Sequence, residues 1–346
     1  MAAFMLCNSL IRNQNRVNSE TRKQGWWLWN VNPVSLLLWP LSLLFCLIVF
    51  IRRSLYNRKI LESHKLPIPV IVVGNISLGG NGKTPVVHSV LKLLRQQGYQ
   101  VGVLTRGYKS DHEGETLILQ SAQISQRAGD EANMLSELCA CPIAVGAERI
   151  KSAQALLKAY PTLDVLIADD GLQHYRLQRD IEIIVERKQS YGNGFCIPAG
   201  PMREAKSRLK SADLLIQRDG PDLSESLGEC WNLSDPSKRC ALSTFLHTEV
   251  AALAGIGFPE LFFEALNKQI TLQQTYTFSD HHEYTERELK RCLGLPLLIT
   301  HKDAVKIRTL LDQDALQNIW VVPLELTLSD DLQYRLINLL ESKSHG

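Results

Sequence analysis

The chain reads as an α/β protein: a doubly wound parallel sheet, a second, smaller α/β lobe and an N-terminal membrane-anchoring helix. Three observations predict this. Residues 74–85 run Gly-Asn-Ile-Ser-Leu-Gly-Gly-Asn-Gly-Lys-Thr-Pro directly after the apolar run at 68–73. That order of strand, glycine-rich loop and helix start marks a phosphate-binding loop, so the sheet is P-loop NTPase-like. Apolar β-runs then alternate with helix-periodic segments as far as residue 216, the pattern that builds a parallel sheet. Finally, residues 25–51 carry no charge, and the run is long enough to reach across a bilayer's hydrocarbon.

In chain order, residues 1–24 are an extension without an assigned role. Residues 25–60 are the anchor helix and a basic collar. Trp26, Trp27, Trp29 and Trp39 suit the polar–apolar boundary of a membrane, and Arg52, Arg53, Arg58 and Lys59 suit anionic headgroups. Pro40 is a kink point, which leaves shallow or re-entrant insertion open beside spanning. No small-residue cleavage site follows, and a basic stretch does, against a signal peptide. Basic residues flank both sides, so the positive-inside rule sets no orientation. The nucleotide loop does, because ATP is cytoplasmic.

The 346 residues are 45% hydrophobic, enough for one large or two medium domains. Net charge is only +2, which gives no nucleic-acid signature. Residues 1–65 hold nine Lys/Arg against two Asp/Glu, or +7, so the rest of the chain is −5. The eight cysteines are scattered and read as reduced core thiols.

Residues 61–220 form the P-loop domain. Its expected helices are 86–97, 132–138 and 149–159. Its expected strands are 101–105, 117–120, 142–145, 165–168, 181–185 and 214–216. Residues 221–247 are rich in Gly, Pro, Ser and Asp, with weak periodicity, and read as a linker. Residues 248–346 form the C-terminal α/β lobe, with strands at 250–253, 297–300 and 319–323 and a helix at 260–267.

The loop assigns nucleotide binding to Ser77, Leu78, Gly79, Gly80, Asn81, Gly82, Lys83 and Thr84. Glycines let backbone N–H groups face phosphate oxygens, and the helix N-terminus adds partial positive charge. Lys83 reaches the terminal phosphates, and the Thr84 hydroxyl suits Mg²⁺. Asp169 and Asp170 end an apolar strand, the position of a second metal ligand in P-loop enzymes; a plain Asp-Asp-Gly turn is the structural alternative. Asp130 is either a helix N-cap or a general base for a hydroxyl nucleophile. Arg203 and Glu204 lie in a Pro-Gly-Pro loop leading to Lys206, Arg208 and Lys210, cations that suit either an anionic substrate or solvent. Among Asp280, His281 and His282, a histidine tuning a carboxylate across the lobe cleft is preferred to a metal site. His301-Lys302-Asp303 has the wrong spacing to read guanine.

Together these motifs resemble the tetraacyldisaccharide 4′-kinase family, the lipid A 4′-kinases of Gram-negative bacteria. The resemblance covers nearly the whole chain: the apolar anchor, the Ser77-containing loop, Arg106-Gly107-Tyr108, Gly129-Asp130-Glu131, Asp169 to His174, Pro198 to Glu204, Gly255-Ile256-Gly257, Asp280-His281 and Lys302 to Lys306. It departs at Ala132, where the family usually has Pro, at Phe258, and at His301; none removes a charged catalytic group. The resemblance implies ATP and Mg²⁺ as cofactors and tetraacyl disaccharide 1-phosphate, a lipid A precursor, as acceptor. It further implies an inner-membrane location with a cytoplasmic catalytic domain, and neither a nucleic-acid nor an obligate protein partner. Asp130 and His281 would form the catalytic pair, with Gln173, His174, Arg203 and Glu204 as substrate or metal contacts. Two alternatives stay open: a P-loop kinase of another membrane glycolipid or polyprenol, and a membrane-tethered nucleotide switch.

Overall fold

The computed structural model describes residues 30–78, 82–107, 115–120, 123, 125–139, 141–280 and 282–344. The apolar segment forms helix α1 (Pro33–Asn57), opened by an Asn32–Ser35 capping box. One stripe of α1 docks on the body. The Ser42 hydroxyl donates to the Cys196 carbonyl (2.8 Å), Arg53 donates to Ser211 (2.7 Å), and the Tyr56 ring stacks on Tyr175 at 5.8 Å. The opposite side is bare hydrocarbon, with Leu37 79% and Phe50 66% exposed.

Strand β1 (Val70–Gly74) leads through the loop into α2 (Lys83–Gln96), followed by β2 (Val101–Thr105) and β3 (Leu117–Leu119). Helix α3 (Asp130–Cys139), β4 (Ile143–Val145), α4 (Arg149–Ala159), β5 (Val165–Asp169), β6 (Ile181–Glu186) and β7 (Leu214–Gln217) complete the first unit. Its sheet runs β3-β4-β2-β5-β1-β6-β7, parallel except for the antiparallel edge strand β3. The central strands are buried along their whole length, as expected of a parallel sheet covered on both faces. Register fixes the site: Val73 of β1 lies opposite Asp169 of β5. The phosphate loop and the Asp-Asp pair therefore leave adjacent strands at the same, carboxyl, edge, where ligands bind in open α/β sheets. Gly74 is required here, because a Cβ would stand 2.7 Å from Leu172 Cβ.

The stretch expected as linker contains β8 (Leu223–Leu227), β9 (Cys230–Asn232) and β10 (Arg239–Cys240). Strands of two to five residues show almost no periodicity, so their pairing comes from tertiary partners. The second unit continues with β11 (Val250–Ala254), α5 (Pro259–Asn267), β12 (Leu272–Thr277), α6 (Glu286–Lys290), β13 (Leu297–Ile299), α7 (His301–Ile307), α8 (Gln313–Leu316) and β14 (Ile319–Val321). Its sheet runs β10-β9-β14-β13-β11-β12. Strand β15 (Leu324–Leu328) pairs antiparallel with β8, and α9 (Asp330–Ser344) ends the described chain. Leu326, Leu328, Leu332, Leu336 and Leu340 all bury in the core of the first sheet. The chain thus returns to its first unit, and both crossings between the sheets run through the β8/β15 ribbon.

The units also meet at α3 and α7. Glu137 of α3 accepts from Arg308 (2.6 Å) and pairs with His301 Nε2 (2.9 Å). Burial alone would raise the Glu137 pKa, but hydrogen bonds and charge from His301 and Arg308 hold it below the usual carboxylate range.

Candidate active site

The site is built on the carboxyl ends of β1 and β5. Asn75, fully buried after β1, accepts from Lys83 Nζ at its Oδ1 (3.3 Å) and from Gln173 Nε2 at its carbonyl (3.1 Å). Its own Nδ2 has no partner among the described residues. Lys83 opens α2 behind Gly82, whose φ of +69° is left-handed. The ammonium lies 3.2 Å from Asp170, and Arg203 reaches both Asp170 oxygens at 3.2 Å. Asp170 itself holds a φ of +49°, an unusual conformation for a residue with a Cβ. Burial would raise the Asp170 pKa, but the Lys83 and Arg203 charges outweigh it and bring it down to about 2. It is therefore an anion throughout the physiological range.

Asp169 ends β5 and is 3% exposed. Arg149, at the start of α4, donates to the Asp169 carbonyl (3.0 Å) and to the Gly146 carbonyl (2.8 Å). Its pKa falls to about 10 through burial, partly offset by Asp169 and Asp170. His174 is lowered to about 4, first by burial and then by the charges of Arg149 and Arg106. It is neutral at pH 7 and able to accept or donate one hydrogen bond.

Glu204 organises the other wall. It is 3% exposed and accepts from Gln173 Nε2 (3.0 Å) and the Tyr175 hydroxyl (2.8 Å). Arg208 Nε lies 3.4 Å from it, close enough for charge but not aligned for a hydrogen bond. Arg208 Nη2 reaches both Glu182 oxygens at 2.6 Å. Burial and the Glu204 carboxylate both push the Tyr175 hydroxyl pKa up. The loop carrying these residues is stitched to the segment after β1: Leu78 N–H donates to the Pro201 carbonyl (2.8 Å), and Arg203 N–H donates to that of Ile76 (2.7 Å).

The structure thus gathers Ser77, Leu78, Gly82, Lys83, Asp169, Asp170, Gln173, Arg203 and Glu204 at one edge, with Thr84 in the first turn of α2 and His174 beside Arg149. Gly79, Gly80, Asn81 and His281 lie outside the described residues. Asp130 is the first residue of α3, and its side chain is also outside them. The residues flanking His281 are fastened to α7. Asp280 accepts from Lys302 Nζ (2.7 Å), and the His282 carbonyl accepts from Lys306 Nζ (3.0 Å). Asp303, fully buried, receives Gly255 N–H, the Tyr284 hydroxyl and the Thr300 hydroxyl, which makes it a structural anchor.

Sequence reasoning gave Arg208 to a substrate or solvent; the structure engages it with Glu182 and Glu204. It assigned no role to Asn75, Arg149, Tyr175 or Arg218. For Asn75 a signal existed, since it directly follows β1 and opens the loop. Arg149 and Arg218 act through tertiary partners that no local pattern announces.

A family profile described as LpxK, tetraacyldisaccharide-1-P 4′-kinase, matches residues 34–341. The chain belongs to this family. Curated tetraacyldisaccharide 4′-kinases align along nearly their whole length. One from an Azoarcus species is 38% identical over 326 residues, covering 91% of this chain and 93% of its own. One from a Shewanella species is 40% identical over 328 residues, covering 91% and 96%. Among solved structures, LpxK from Aquifex aeolicus, crystallised in complex with ATP, superposes with a TM-score of 0.74 at 28% identity, covering 89% of this chain and 99% of that one. In this tetraacyldisaccharide 4′-kinase family member, Lys83 and Asp170 stand at the carboxyl edge of the sheet, where ligands bind in open α/β sheets.

Proposed function

We propose that this chain is an ATP-dependent kinase that transfers the γ-phosphate to the 4′-hydroxyl of tetraacyldisaccharide 1-phosphate. The observation that carries this reading is the Lys83–Asp170 pair at 3.2 Å, set just beyond the carboxyl ends of the adjacent parallel strands β1 and β5 of a family member. Asp170 holds the ammonium at the mouth of the loop, from which it transfers to the β- and γ-oxygens of ATP. Lys83 and the start of α2 then stabilise charge that develops in the transition state. The Thr84 hydroxyl and the Asp169 carboxylate are hard oxygen donors, the set that suits Mg²⁺. Asp170 stands beside them and supports either the ion or the nucleophile. When bound, Mg²⁺ neutralises charge on the phosphate oxygens.

Asp130 accepts the proton of the 4′-hydroxyl, and His281 pairs with it from the second lobe. Support comes from the framework: α3 begins at Asp130, is pinned to α7 through Glu137, and α7 in turn fastens the residues on both sides of His281. Arg203, Gln173 and His174 line the acceptor side. The cations around His174 favour an anionic ligand, in keeping with a sugar phosphate.

Helix α1 is the membrane attachment. Its stripe from Ser42 to Tyr56 is occupied by the catalytic body, while Leu36, Leu37, Leu44, Leu47 and Phe50 remain bare. By length and composition α1 could also cross; the docked stripe favours a helix that lies in the headgroup layer, apolar side down. On this reading the catalytic body works against the cytoplasmic face of the inner membrane, where an acylated substrate would be met. The competing readings are separated by acceptor competition. Tetraacyldisaccharide 1-phosphate should suppress labelling of any other glycolipid or polyprenol; labelling of those acceptors at undiminished rate would overturn the assignment.

A further inference from the structure

We propose that Arg218 is a positioning residue for the phosphate-binding loop and that Glu225 holds it in place, tying the loop to the strands that join the two lobes. The inference rests on the reading that the loop binds ATP.

Arg218 directly follows β7, and its side chain is 2% exposed. Its Nη1 donates to the Gly82 carbonyl at 3.3 Å, and its Nη2 sits 2.5 Å from Glu225. Nε has no partner among the described residues. The guanidinium packs against Gly82: a Cβ there would stand 2.8 Å from Nη1 and 2.9 Å from Cζ. Gly82 precedes the first residue of α2, and no side chain caps that helix. The Gly82 carbonyl belongs to the peptide whose N–H is that of Lys83. Fixing the carbonyl therefore fixes the plane and direction of a donor at the helix N-terminus, where phosphate oxygens are held. A planar fork grips a carbonyl and a carboxylate at once, which a lysine cannot do.

Glu225 lies on β8, in the ribbon through which both crossings between the sheets pass. It is shared with a second buried guanidinium, Arg187, at 3.7 Å. Arg187 also pairs with Asp219 at 3.5 Å and faces the Phe258 ring, at the turn before α5, at 5.6 Å. A continuous set of contacts therefore runs from Gly82 through Arg218, Glu225 and Arg187 to the second lobe. Burial lowers the Arg218 pKa, and Glu225 works against that.

The test is calorimetric binding of ATP with Mg²⁺ to the full-length, detergent-solubilised protein without lipid, together with thermal melts. Arg218→Gln should raise the Kd for ATP about tenfold. Glu225→Gln, an isosteric change at a one-third exposed side chain, should raise it about threefold while the melting temperature stays within a few degrees of wild type. KM for ATP should rise in parallel, with kcat changed less. Unchanged ATP affinity in Arg218→Gln, or in Glu225→Gln should the first variant not fold, overturns the proposal. A wild-type protein that binds no ATP defeats the nucleotide reading itself, and this inference falls with it.

Discussion

Replacing Glu204 with alanine separates a scaffold from a substrate ligand. The carboxylate is 3% exposed and receives the Gln173 amide at 3.0 Å and the Tyr175 hydroxyl at 2.8 Å. It also faces Arg208 Nε at 3.4 Å. Truncation leaves two neutral donors without this acceptor and removes the carboxylate that faces the Arg208 cation. Each abandoned neutral group costs roughly 1–3 kcal/mol, and loss of one partner of a buried ion pair costs about 3–5 kcal/mol. Arg208 keeps Glu182 as a second partner, which takes its share toward zero. The expected destabilisation is therefore about 2–6 kcal/mol. Denaturant unfolding of the solubilised protein measures it as a lower midpoint at unchanged slope. Glu204→Gln, which keeps an acceptor oxygen, should recover part of the loss. If Glu204→Ala is within about 1 kcal/mol of wild type and only KM for the acceptor rises, the carboxylate serves the substrate and the scaffold reasoning is wrong.

Two further outcomes follow from the same geometry. Asp170→Asn should destabilise the protein at pH 7, and the effect has a defined pH dependence. A folded pKa of about 2 against an ordinary 3.8 is worth about 2.4 kcal/mol unscreened; with the side chain 36% accessible, about 1 kcal/mol is expected after screening. Because the folded pKa is the lower one, this contribution is full above about pH 4 and is lost as pH falls through about 2. Wild-type and Asn melting temperatures should therefore converge on acidification, and a constant gap would refute the ion-pair origin. On α1, the combined change of Leu37, Leu44 and Phe50 to serine should weaken binding to anionic vesicles at least about 100-fold, since burying each such side chain contributes about 1.5–3 kcal/mol. Sedimentation with vesicles reads this directly, and unchanged pelleting would place the membrane contact elsewhere.

What was legible in the sequence was what is local. An apolar run followed by a glycine-rich loop and Lys-Thr specifies strand, turn and helix without reference to the rest of the chain, and β1, Gly82 and α2 stand where that pattern puts them. Asp169 and Asp170 were legible for the same reason, as the end of a continuous apolar strand. The ribbon was not. Leu223–Leu227 reads Leu-Ser-Glu-Ser-Leu, a pattern that becomes a strand only because β15 lies beside it. The helix at residues 330–344 carries a leucine stripe at positions 332, 336 and 340, but a stripe does not say which sheet it covers; here it returns to the first. Within the site, the glycine-rich loop and the two carboxylates stand out in the sequence because each follows an apolar strand. The division of Arg203, Glu204 and Arg208 between site and scaffold was not, because burial decides it: Arg203 keeps Asp170 at the mouth, whereas Arg208 is consumed by Glu182 and Glu204.

The central claim is tested most directly by single-turnover transfer of label from γ-labelled ATP, with Mg²⁺, to tetraacyldisaccharide 1-phosphate, with wild type and Asp130→Asn run side by side. Label should appear in the lipid with wild type. It should slow at least about 100-fold with Asp130→Asn, the scale of general-base catalysis, while KM for ATP changes little. Label released only as inorganic phosphate, with the lipid unmarked, would contradict the kinase assignment. Transfer at near wild-type rate in the variant would remove Asp130 from the role of base.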